Sequence, residues 1–404
     1  MHDTIVIGME NWDGVWRRMQ PVTQGIARRN PGGKHLFVGL SIDVSHAVRK
    51  GRLAAIAPAL SWPKPRLADG ESNVYLLNTI KLLPDTLTAG RLFNQAFAAA
   101  QIRSACRQLG IVRPVLYMNP HYAASLVGHM DECAAIYDIG DDWTSLPQKE
   151  ATRRRTIRED RELCAKADAV VVVSETLFEL KRPMTKKLYH IPNGVDVDRY
   201  LRVLGDKIAP LPLTSEWKRP VAAYTGTLHK DRVDLDLVVE IANRLPDVTL
   251  VFVGPVQLDD ANRRKITAPG NVVLAGEVAY GDVPAVMAGF DVCMVPHRVT
   301  PFTMSLSPLK LYEYLASGLP IVATPVSGFR DYPDLIHLAS DADAFAAGIR
   351  SALAEPAAQG AARQTLAREH SWDKRFDAIE AVIIESINQR TEEISCRQSV
   401  PSYR

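Results

Sequence analysis

The chain has 404 residues, of which 47% are apolar and 23% are charged, with a formal net charge of +2. That length provides for two globular domains, each with its own core, and the balanced charge excludes a disordered chain or a nucleic-acid-binding protein. No apolar run approaches the roughly 20 residues of a membrane-spanning helix, and no signal peptide is expected before the first strand. The five cysteines include no Cys-x-x-Cys pair, so we expect reduced thiols and a cytoplasmic protein.

The two halves of the chain differ in charge. Residues 1–200 contain 27 Lys and Arg against 21 Asp and Glu, a net charge of +6, which leaves −4 for the remainder. A basic first half suits an anionic ligand or a membrane surface.

Short β-rich runs alternate with helical stretches in the first half of the chain. The alternation predicts βαβ layering around a parallel sheet, and the run Val170–Val173 is too continuously apolar for a half-exposed strand. Residues 89–109 and 150–167 have helical length. The predicted strands are 4–8, 36–40, 74–77, 115–118, 134–138, 169–173 and 188–191.

The same alternation restarts in the second half, after a proline-rich stretch of little periodicity. The prediction is an α/β protein of two Rossmann-like, doubly wound parallel-sheet domains facing a cleft. Its strands are 222–225, 250–254, 272–274, 292–295 and 321–323. The predicted parts are a first domain (1–200), a linker (201–219), a second domain (220–370), a long helix (371–390) and a flexible tail (391–404).

Polar residues follow the predicted strand ends of the first domain, where ligands of doubly wound sheets lie. Asp141 and Asp142 follow strand 134–138, and His121 follows strand 115–118. An aspartate there can accept a proton from a hydroxyl group if burial or a neighbouring carboxylate raises its pKa. The alternatives are that Asp142 caps the next helix and that His121 has a structural role.

Cations follow the strand ends of the second domain. Gly226 allows a ligand to approach the backbone, and Lys230 and Arg232 follow it closely. Arg298 lies in a loop rich in hydroxyl groups and prolines that leads into a helix and can present N–H groups to phosphate. Each cation has a plainer alternative, which is a solvated turn for Lys230 and Arg232 and a surface salt bridge for Arg298.

The segment from Ser307 to Thr324 combines a helix, its stop signal and a buried strand. Pro308 suits a helix start, and Gly318 suits a helix end. Lys310 and Glu313 are three residues apart, so they share a helix face near the N-terminus, where free N–H groups favour an anion. The pattern predicts a ligand-binding βα unit. The alternative is a surface ion pair, which contributes little.

This segment, spelled PLKLYEYLASGLPIVAT, resembles the donor-sugar motif of nucleotide-sugar glycosyltransferases with the GT-B fold. The resemblance implies that Glu313 holds the ribose hydroxyls of the sugar donor and that the preceding loop faces its phosphates. Many members have a second glutamate eight positions earlier, where this chain has Ser305. The implied donor-binding residues are Gly226, Thr227, Lys230, Arg232, Val278, Tyr280, Arg298, Ser305, Ser307, Leu309, Lys310 and Glu313.

Other loops resemble the same family. Residues 276–280 resemble its nucleobase-binding segment. The first βα loop, with Gly14, Trp16 and Arg17, resembles the glycine-bearing loop that closes over sugar donor and acceptor, and its aromatic side chains suit stacking on a sugar or a lipid head group. Residues 193–196 spell the NGVD found at the same place in many members. We interpret the overlapping Asp-x-Asp as part of a turn, so no metal is expected.

The resemblance implies transfer of a sugar from a UDP- or GDP-linked donor to a saccharide or lipid-linked saccharide acceptor, with no further cofactor. The spelling is most similar to bacterial enzymes of exopolysaccharide or teichuronic acid synthesis, which implies peripheral contact with the inner membrane face. Asp141, Asp142 and His121 are the implied candidates for catalysis. Two alternatives share the fold: a non-hydrolysing nucleotide-sugar epimerase and a catalytically silent sugar-nucleotide sensor.

Overall fold

The computed structural model describes residues 2–12, 16–146, 148–204 and 208–399. The chain divides into two compact units. One unit contains the residues up to Ile191 and those from Phe376 onward, and the other contains Pro192–Arg375. The division therefore falls ahead of residues 201–219, expected as the linker, and places them in the second unit.

The first unit is built on one large sheet, with a helix or loop between most consecutive strands. Its described strands are β1 (Thr4–Ile7), β2 (His35–Val38), β3 (Ile42–Asp43), β4 (Arg66–Leu67), β5 (Val74–Leu77), β6 (Ile80–Lys81), β7 (Val115–Met118), β8 (Ala134–Ile139), β9 (Ala169–Val172) and β10 (Leu188–His190). Its described helices before residue 192 are α1 (Met19–Arg29), α2 (Val44–Arg49), α3 (Thr88–Leu109), α4 (Glu150–Lys166) and α5 (Glu175–Lys181), with 3-10 turns at Leu53–Leu60, His121–Ser125 and Arg182–Met184.

The large sheet has the strand order β10-β9-β8-β7-β1-β2-β5-β4, and β3 pairs separately with β6. All neighbours in the large sheet are parallel except β4, which runs antiparallel to β5. Strands β1, β2, β7, β8 and β9 are buried along their whole length, as expected where helices cover both faces. Their shared carboxyl edge is the place for the first unit's functional residues.

The second unit repeats this plan. Its strands are β11 (Val221–Thr225), β12 (Leu228–His229), β13 (Thr249–Val253), β14 (Val256–Gln257), β15 (Val272–Gly276), β16 (Val292–Val295), β17 (Ile321–Ala323) and β18 (His337–Leu338). Its helices are α6 (Val197–Tyr200), α7 (Leu235–Arg244), α8 (Asp260–Thr267), α9 (Val283–Met287), α10 (Pro301–Ser305), α11 (Leu309–Ser317), α12 (Ala342–Leu353) and α13 (Ala357–Glu369). The parallel main sheet has the order β15-β13-β11-β16-β17-β18.

The last helix, α14 (Trp372–Ser399), returns the chain to the first unit. Phe376 packs so closely on Gly25 of α1 that a Cβ at Gly25 would lie 2.5 Å from the ring. Further along, the Arg390 guanidinium lies 2.8 Å from Asp168 and 3.3 Å from Glu132. The helix continues through Ser399 where the sequence predicts a tail from residue 391, and residues 400–404 lie outside the described part.

Candidate functional site

Helix α11 is held against the carboxyl end of β11 by a buried tyrosine. The backbone N–H of Thr225 donates to the Tyr314 hydroxyl at 2.8 Å, and the Thr225 hydroxyl lies 3.0 Å from the same oxygen. The helix starts directly after Pro308 and ends at Gly318, whose φ of +76° suits glycine, so both predicted boundaries are confirmed. This anchoring sets the α11 side chains beside the loop that follows β11.

Glu313 lies partly buried on α11 within a group of aromatic and cationic side chains. The Tyr200 hydroxyl donates to its Oε1 at 3.0 Å. Burial raises the pKa of Glu313, while the Tyr200 hydrogen bond and the charges of Lys310 and Arg199 oppose that rise. Tyr280 lies close enough for the Glu313 charge to contribute to its own raised pKa, and the Arg199 guanidinium stacks 4.5 Å from the Tyr280 ring centre. The carboxylate is thus oriented, with one oxygen engaged by a tyrosine.

Lys310 extends from the first turn of α11 over the loop after β11. Its Nζ lies 4.7 Å from the centre of the Tyr224 ring, and a Cβ on Gly226 would lie 3.3 Å from that nitrogen. Gly226 itself has φ +122°, and the Gly226 carbonyl oxygen would lie only 2.5 Å from a Cβ on Gly254. Two glycines are therefore required for these loops to meet below the ammonium group.

Arg232 is the second cation of this region. Its guanidinium lies 5.5 Å from the Phe302 ring centre. His297 is 2% exposed and has a pKa lowered well below its usual value by burial and by the charges of Lys310 and Arg232. Within the described ranges, neither cation has a carboxylate within 4.0 Å. Two partly buried positive charges around a neutral imidazole make this region suited to an anion.

The N-terminus of α11 adds further hydrogen-bond donors. Pro308 at the cap position makes no side-chain cap, so the first N–H groups, beginning at Leu309, have no capping side chain. The N–H dipoles and the Lys310 charge lie together in the first turn of the helix, so both favour an anion there.

Three of the predicted residues have other contacts, and a fourth, Lys230, is exposed. Arg298 pairs with Asp234 at 3.5 Å, which is the surface salt bridge named as its alternative. The buried Ser305 hydroxyl donates to the Phe302 carbonyl at 2.7 Å, and the Ser307 carbonyl accepts from the Asn193 side chain at 2.5 Å, while its hydroxyl accepts from the backbone N–H of Asn193.

The remaining predicted residues of the second unit lie at strand ends. The Thr227 carbonyl accepts from the Tyr224 hydroxyl at 3.3 Å. Val278 packs on the hydrophobic core after β15. Tyr280 begins a short 3-10 turn there. Of these, Thr227 bonds the tyrosine that lies under Lys310, and Tyr280 lies near Glu313.

In the first unit, His121 forms a pair with a glutamate that the sequence did not indicate. His121 Nδ1 lies 3.0 Å from Oε2 of Glu159 on α4. Both line a cavity of about 330 Å³ that also reaches Ile7 at the end of β1 and Ser41 and Thr79 near the ends of β2 and β5. Within the described ranges, His121 Nε2 has no hydrogen-bond partner. A carboxylate that holds one ring nitrogen leaves the other available as a base.

The two predicted aspartates have different surroundings. Asp142 is buried, and its Oδ1 accepts from the Thr144 hydroxyl at 2.6 Å and from the Thr144 N–H at 3.0 Å. The expectation that Asp142 caps the next helix is wrong, because α4 starts at Glu150 and Asp142 instead closes a local turn. Asp141 is partly buried, and its charge contributes to a raised pKa of Glu10, whose main cause is burial.

The first loop is described only in part. Trp16 contacts Trp12 at 5.6 Å between ring centres, and Trp12 contacts Phe37 at 5.2 Å. Arg17 is exposed, and its charge lowers the raised pKa of Glu10. Gly14 lies outside the described residues. The tryptophans therefore have partners within the first unit.

A buried ion pair supports this part of the sheet. The Arg18 Nε lies 2.8 Å from Asp138, a fully buried residue near the end of β8, and the Tyr117 hydroxyl donates to the same carboxylate at 2.5 Å. Another Arg18 nitrogen donates to the Ile191 carbonyl at 3.0 Å. Loss of either charge would leave the other buried without its counter-charge, so we interpret the pair as structural.

Sequence reasoning missed Glu10, Glu159, Tyr200 and His297. Glu10 and His297 follow β1 and β16, so the rule that ligands lie beyond strand ends does indicate their positions. Tyr200 and Glu159 lie inside helices, and no local signal marks them.

Residues 219–355 match the family model described as "Glycosyl transferases group 1". The chain is 26% identical over 201 residues to TuaH of Bacillus subtilis (strain 168), which is named as a teichuronic acid biosynthesis glycosyltransferase. That match covers 47% of this chain and 50% of TuaH, so the chain matches about half the length of this relative.

Several solved structures share the fold. The trehalose 6-phosphate synthase from Burkholderia multivorans has a TM-score of 0.67 at 13% identity, covering 95% of this chain and 99% of that chain. The sucrose-phosphate synthase from Thermosynechococcus elongatus has a TM-score of 0.64 at 16% identity, and the match covers 98% of this chain and 100% of that chain. HepE from Anabaena, solved with UDP and glucose, has a TM-score of 0.63 at 15% identity, and the match covers 95% of this chain and 99% of that chain. At sequence identities this low, the similarity shows a shared fold and nothing further. In the described residues, no helix is both long and apolar enough to span a bilayer.

Proposed function

We propose that the protein transfers a sugar from a nucleotide diphosphate donor to an acceptor hydroxyl. The chain has the GT-B fold, and its residues 219–355 match the group 1 glycosyl transferases. The observation that carries the proposal is the arrangement on α11. Glu313 is an oriented, partly buried carboxylate, and Lys310 with Arg232 forms a cationic group lacking carboxylate partners in the described ranges.

The donor is held in two parts. Glu313 accepts hydrogen bonds from the ribose hydroxyls, because a carboxylate is the natural acceptor for a vicinal diol. Lys310, Arg232 and the first N–H groups of α11 bind the diphosphate and stabilise the charge that develops on the leaving nucleoside diphosphate. The nucleotide is UDP or GDP, and HepE, a structural neighbour, was solved with UDP.

We further propose that these cations replace a metal ion in the transfer, with no cofactor besides the sugar donor. Full activity in the presence of EDTA, without stimulation by Mg²⁺ or Mn²⁺, is the expected result. A strict requirement for either metal would overturn this part of the proposal.

The acceptor hydroxyl needs a base if the anomeric configuration is inverted. His121 is the best placed of the predicted candidates, because Glu159 holds its Nδ1 and its Nε2 has no hydrogen-bond partner in the described ranges. Asp141 follows, beside Glu10, whereas Asp142 is engaged by Thr144. Proton NMR of the product identifies the configuration. A retained configuration would remove the need for a base and for this role of His121.

The acceptor we propose is a saccharide or lipid-linked saccharide of bacterial exopolysaccharide or teichuronic acid synthesis. The support is the match to TuaH and the net positive charge of residues 1–200. We place the protein in the cytoplasm, in peripheral contact with the inner face of the membrane.

A thermal-shift screen of sugar nucleotides tests the donor first. A bound donor raises the melting temperature by mass action, so UDP- or GDP-linked sugars should stabilise the protein where ADP-linked sugars do not. Incubation of the selected donor, labelled in the sugar, with bacterial lipid and polysaccharide extracts then tests transfer. Absence of stabilisation by every sugar nucleotide would refute the function, and formation of an epimer without acceptor would reassign it.

A further inference from the structure

One continuous stretch of the first unit carries positive charge without any acid. Residues 44–68 contain Arg49, Lys50, Arg52, Lys64 and Arg66 and no Asp or Glu. All five side chains are exposed. In the described part of the chain, none of them has an acidic group within 4.0 Å. These charges are therefore available to an anionic partner.

The same stretch exposes large apolar side chains, which a soluble surface ordinarily covers. Leu60 is 83% exposed, at the end of the 3-10 turn Leu53–Leu60, and Trp62 follows it with 44% exposed. Helix α2, which ends at Arg49, packs on that turn, so the cations before the turn lie beside it.

Aromatic contacts extend this surface onto α3. The Trp62 ring meets Phe97 edge-on at 5.6 Å, and Phe97 stacks on Phe93 at 5.6 Å. Phe93 is itself 45% exposed. We call the surface formed by these five cations together with Leu60, Trp62 and Phe93 the docking surface. It combines an apolar centre with a rim of cations.

A basic cavity opens next to the docking surface. It has a volume of about 820 Å³ and is lined by Arg49 of the docking surface together with Arg91, Lys149, Arg155 and Arg158. The lining also contains the acids Asp43, Asp85 and Glu150, which pair with Lys81 and Arg154. Among the described residues, none of these four further cations has an acidic partner within 4.0 Å. These four cations extend the positive charge of the docking surface beyond Arg49.

We infer that the docking surface binds the face of an anionic phospholipid bilayer. Leu60, Trp62 and Phe93 enter the headgroup region, and the five cations attract the lipid phosphates. A protein partner would be expected to bring acids to specific cations, whereas a bilayer needs only mobile negative charge around an apolar centre. This inference assigns a surface and a lipid class to the membrane contact proposed above, and it does not depend on sugar transfer.

Vesicle sedimentation tests the inference with the purified full chain. The protein should pellet with phosphatidylglycerol–phosphatidylcholine vesicles, stay in solution with pure phosphatidylcholine, and be released by 0.5 M NaCl. Each neutralised cation should weaken partitioning about five-fold, so Lys64→Gln with Arg66→Gln should weaken it about 25-fold. The matched control is Arg107→Gln with Lys186→Gln, two exposed cations of the same unit outside the docking surface, with no expected effect beyond a few-fold.

The apolar centre is tested separately. Leu60→Ser with Trp62→Ser should abolish pelleting while the melting temperature stays the same, and Val112→Ser, at a position 70% exposed elsewhere, should bind as the parent does. Glu313→Ala should also pellet normally, which separates this test from any failure of the proposed function. Equal pelleting of all variants, equal binding to neutral vesicles, or a dimer in light scattering that the Leu60 and Trp62 changes dissolve would overturn the inference.

Discussion

Glu313→Gln separates the binding role of the carboxylate from its effect on the fold. Glutamine keeps the size and one acceptor oxygen but loses the charge and one of the two oxygens that a ribose diol needs. A hydrogen bond to a charged group contributes about 1.5–3 kcal/mol, so the affinity for the sugar nucleotide should fall about ten- to 150-fold. Tyr200 keeps a partner in the variant, because the amide oxygen can replace Oε1.

The same variant should lose affinity for the sugar nucleotide without losing stability. Burial raises the pKa of Glu313 in the folded protein above its ordinary value of 4.5. The folded state therefore binds more protons than the unfolded chain between the two pKa values, and its stability falls as pH rises through that window. The deficit is complete at any pH above the folded-state pKa. The glutamine variant lacks it, so its melting temperature at pH 7 should equal or exceed that of the parent.

Calorimetric titration with the selected sugar nucleotide, between pH 4.5 and 8, measures the change in affinity. Melting curves over the same pH range measure the change in stability. The parent should lose affinity on acidification, starting above the ordinary carboxyl pKa, because a protonated Glu313 no longer accepts both ribose hydroxyls. The glutamine variant should show no such loss. Glu216→Gln, at an exposed glutamate of the same unit, is the control. An unchanged affinity in a folded Glu313→Gln variant would refute the assigned role.

Three further predictions concern the other site residues. Lys310→Met should weaken UDP binding about tenfold or more and leave uridine binding nearly unchanged, as titrations with both ligands would show; equal losses would place the lysine elsewhere. His121→Gln and Glu159→Gln should lower kcat, the first by about 10²–10⁴, at unchanged donor affinity, and an undiminished kcat would exclude the histidine as base. Asp142→Asn should lower the melting temperature, because the turn that Asp142 closes is weakened. Arg298→Gln should change neither stability nor donor affinity appreciably. A large loss of donor affinity in either variant would contradict these assignments.

The main strands and long helices could be predicted from the sequence because their patterns are local. Runs such as Val292–Val295 and Ile321–Ala323 are buried on both faces, and their apolar continuity is sufficient to identify them. The two-residue strands β3, β4, β6, β12, β14 and β18 were missed, since pairs so short carry no periodicity. The division at Ile191 could not be placed either, because it depends on contacts between distant residues.

The α/β GT-B fold predicted from the sequence is confirmed by the solved structures that match nearly the whole chain. The spacing of Lys310 and Glu313 indicated one shared helix face, and helix geometry alone brings them together. The contacts that orient them come from far along the chain. Tyr200 lies 113 positions before Glu313, and Tyr224, which lies under Lys310, belongs to strand β11. Pairings over such distances leave no mark in one sequence.

Two candidate arginines of the second unit show which information one sequence does not contain, namely whether a cation has a counter-charge in the folded chain. Arg232 and Arg298 both follow strand ends, and both were candidates to bind phosphate. Arg298 reaches Asp234 at the start of α7, so its charge is already partly balanced on the surface. Arg232 has an aromatic ring and a buried neutral histidine as neighbours, and no carboxylate of the described chain balances it within 4.0 Å. An incoming diphosphate gains more from the second arrangement, because it need not displace an existing counter-charge. The number of cations near a predicted site is therefore a weaker guide to anion binding than the number left without a carboxylate once the chain has folded.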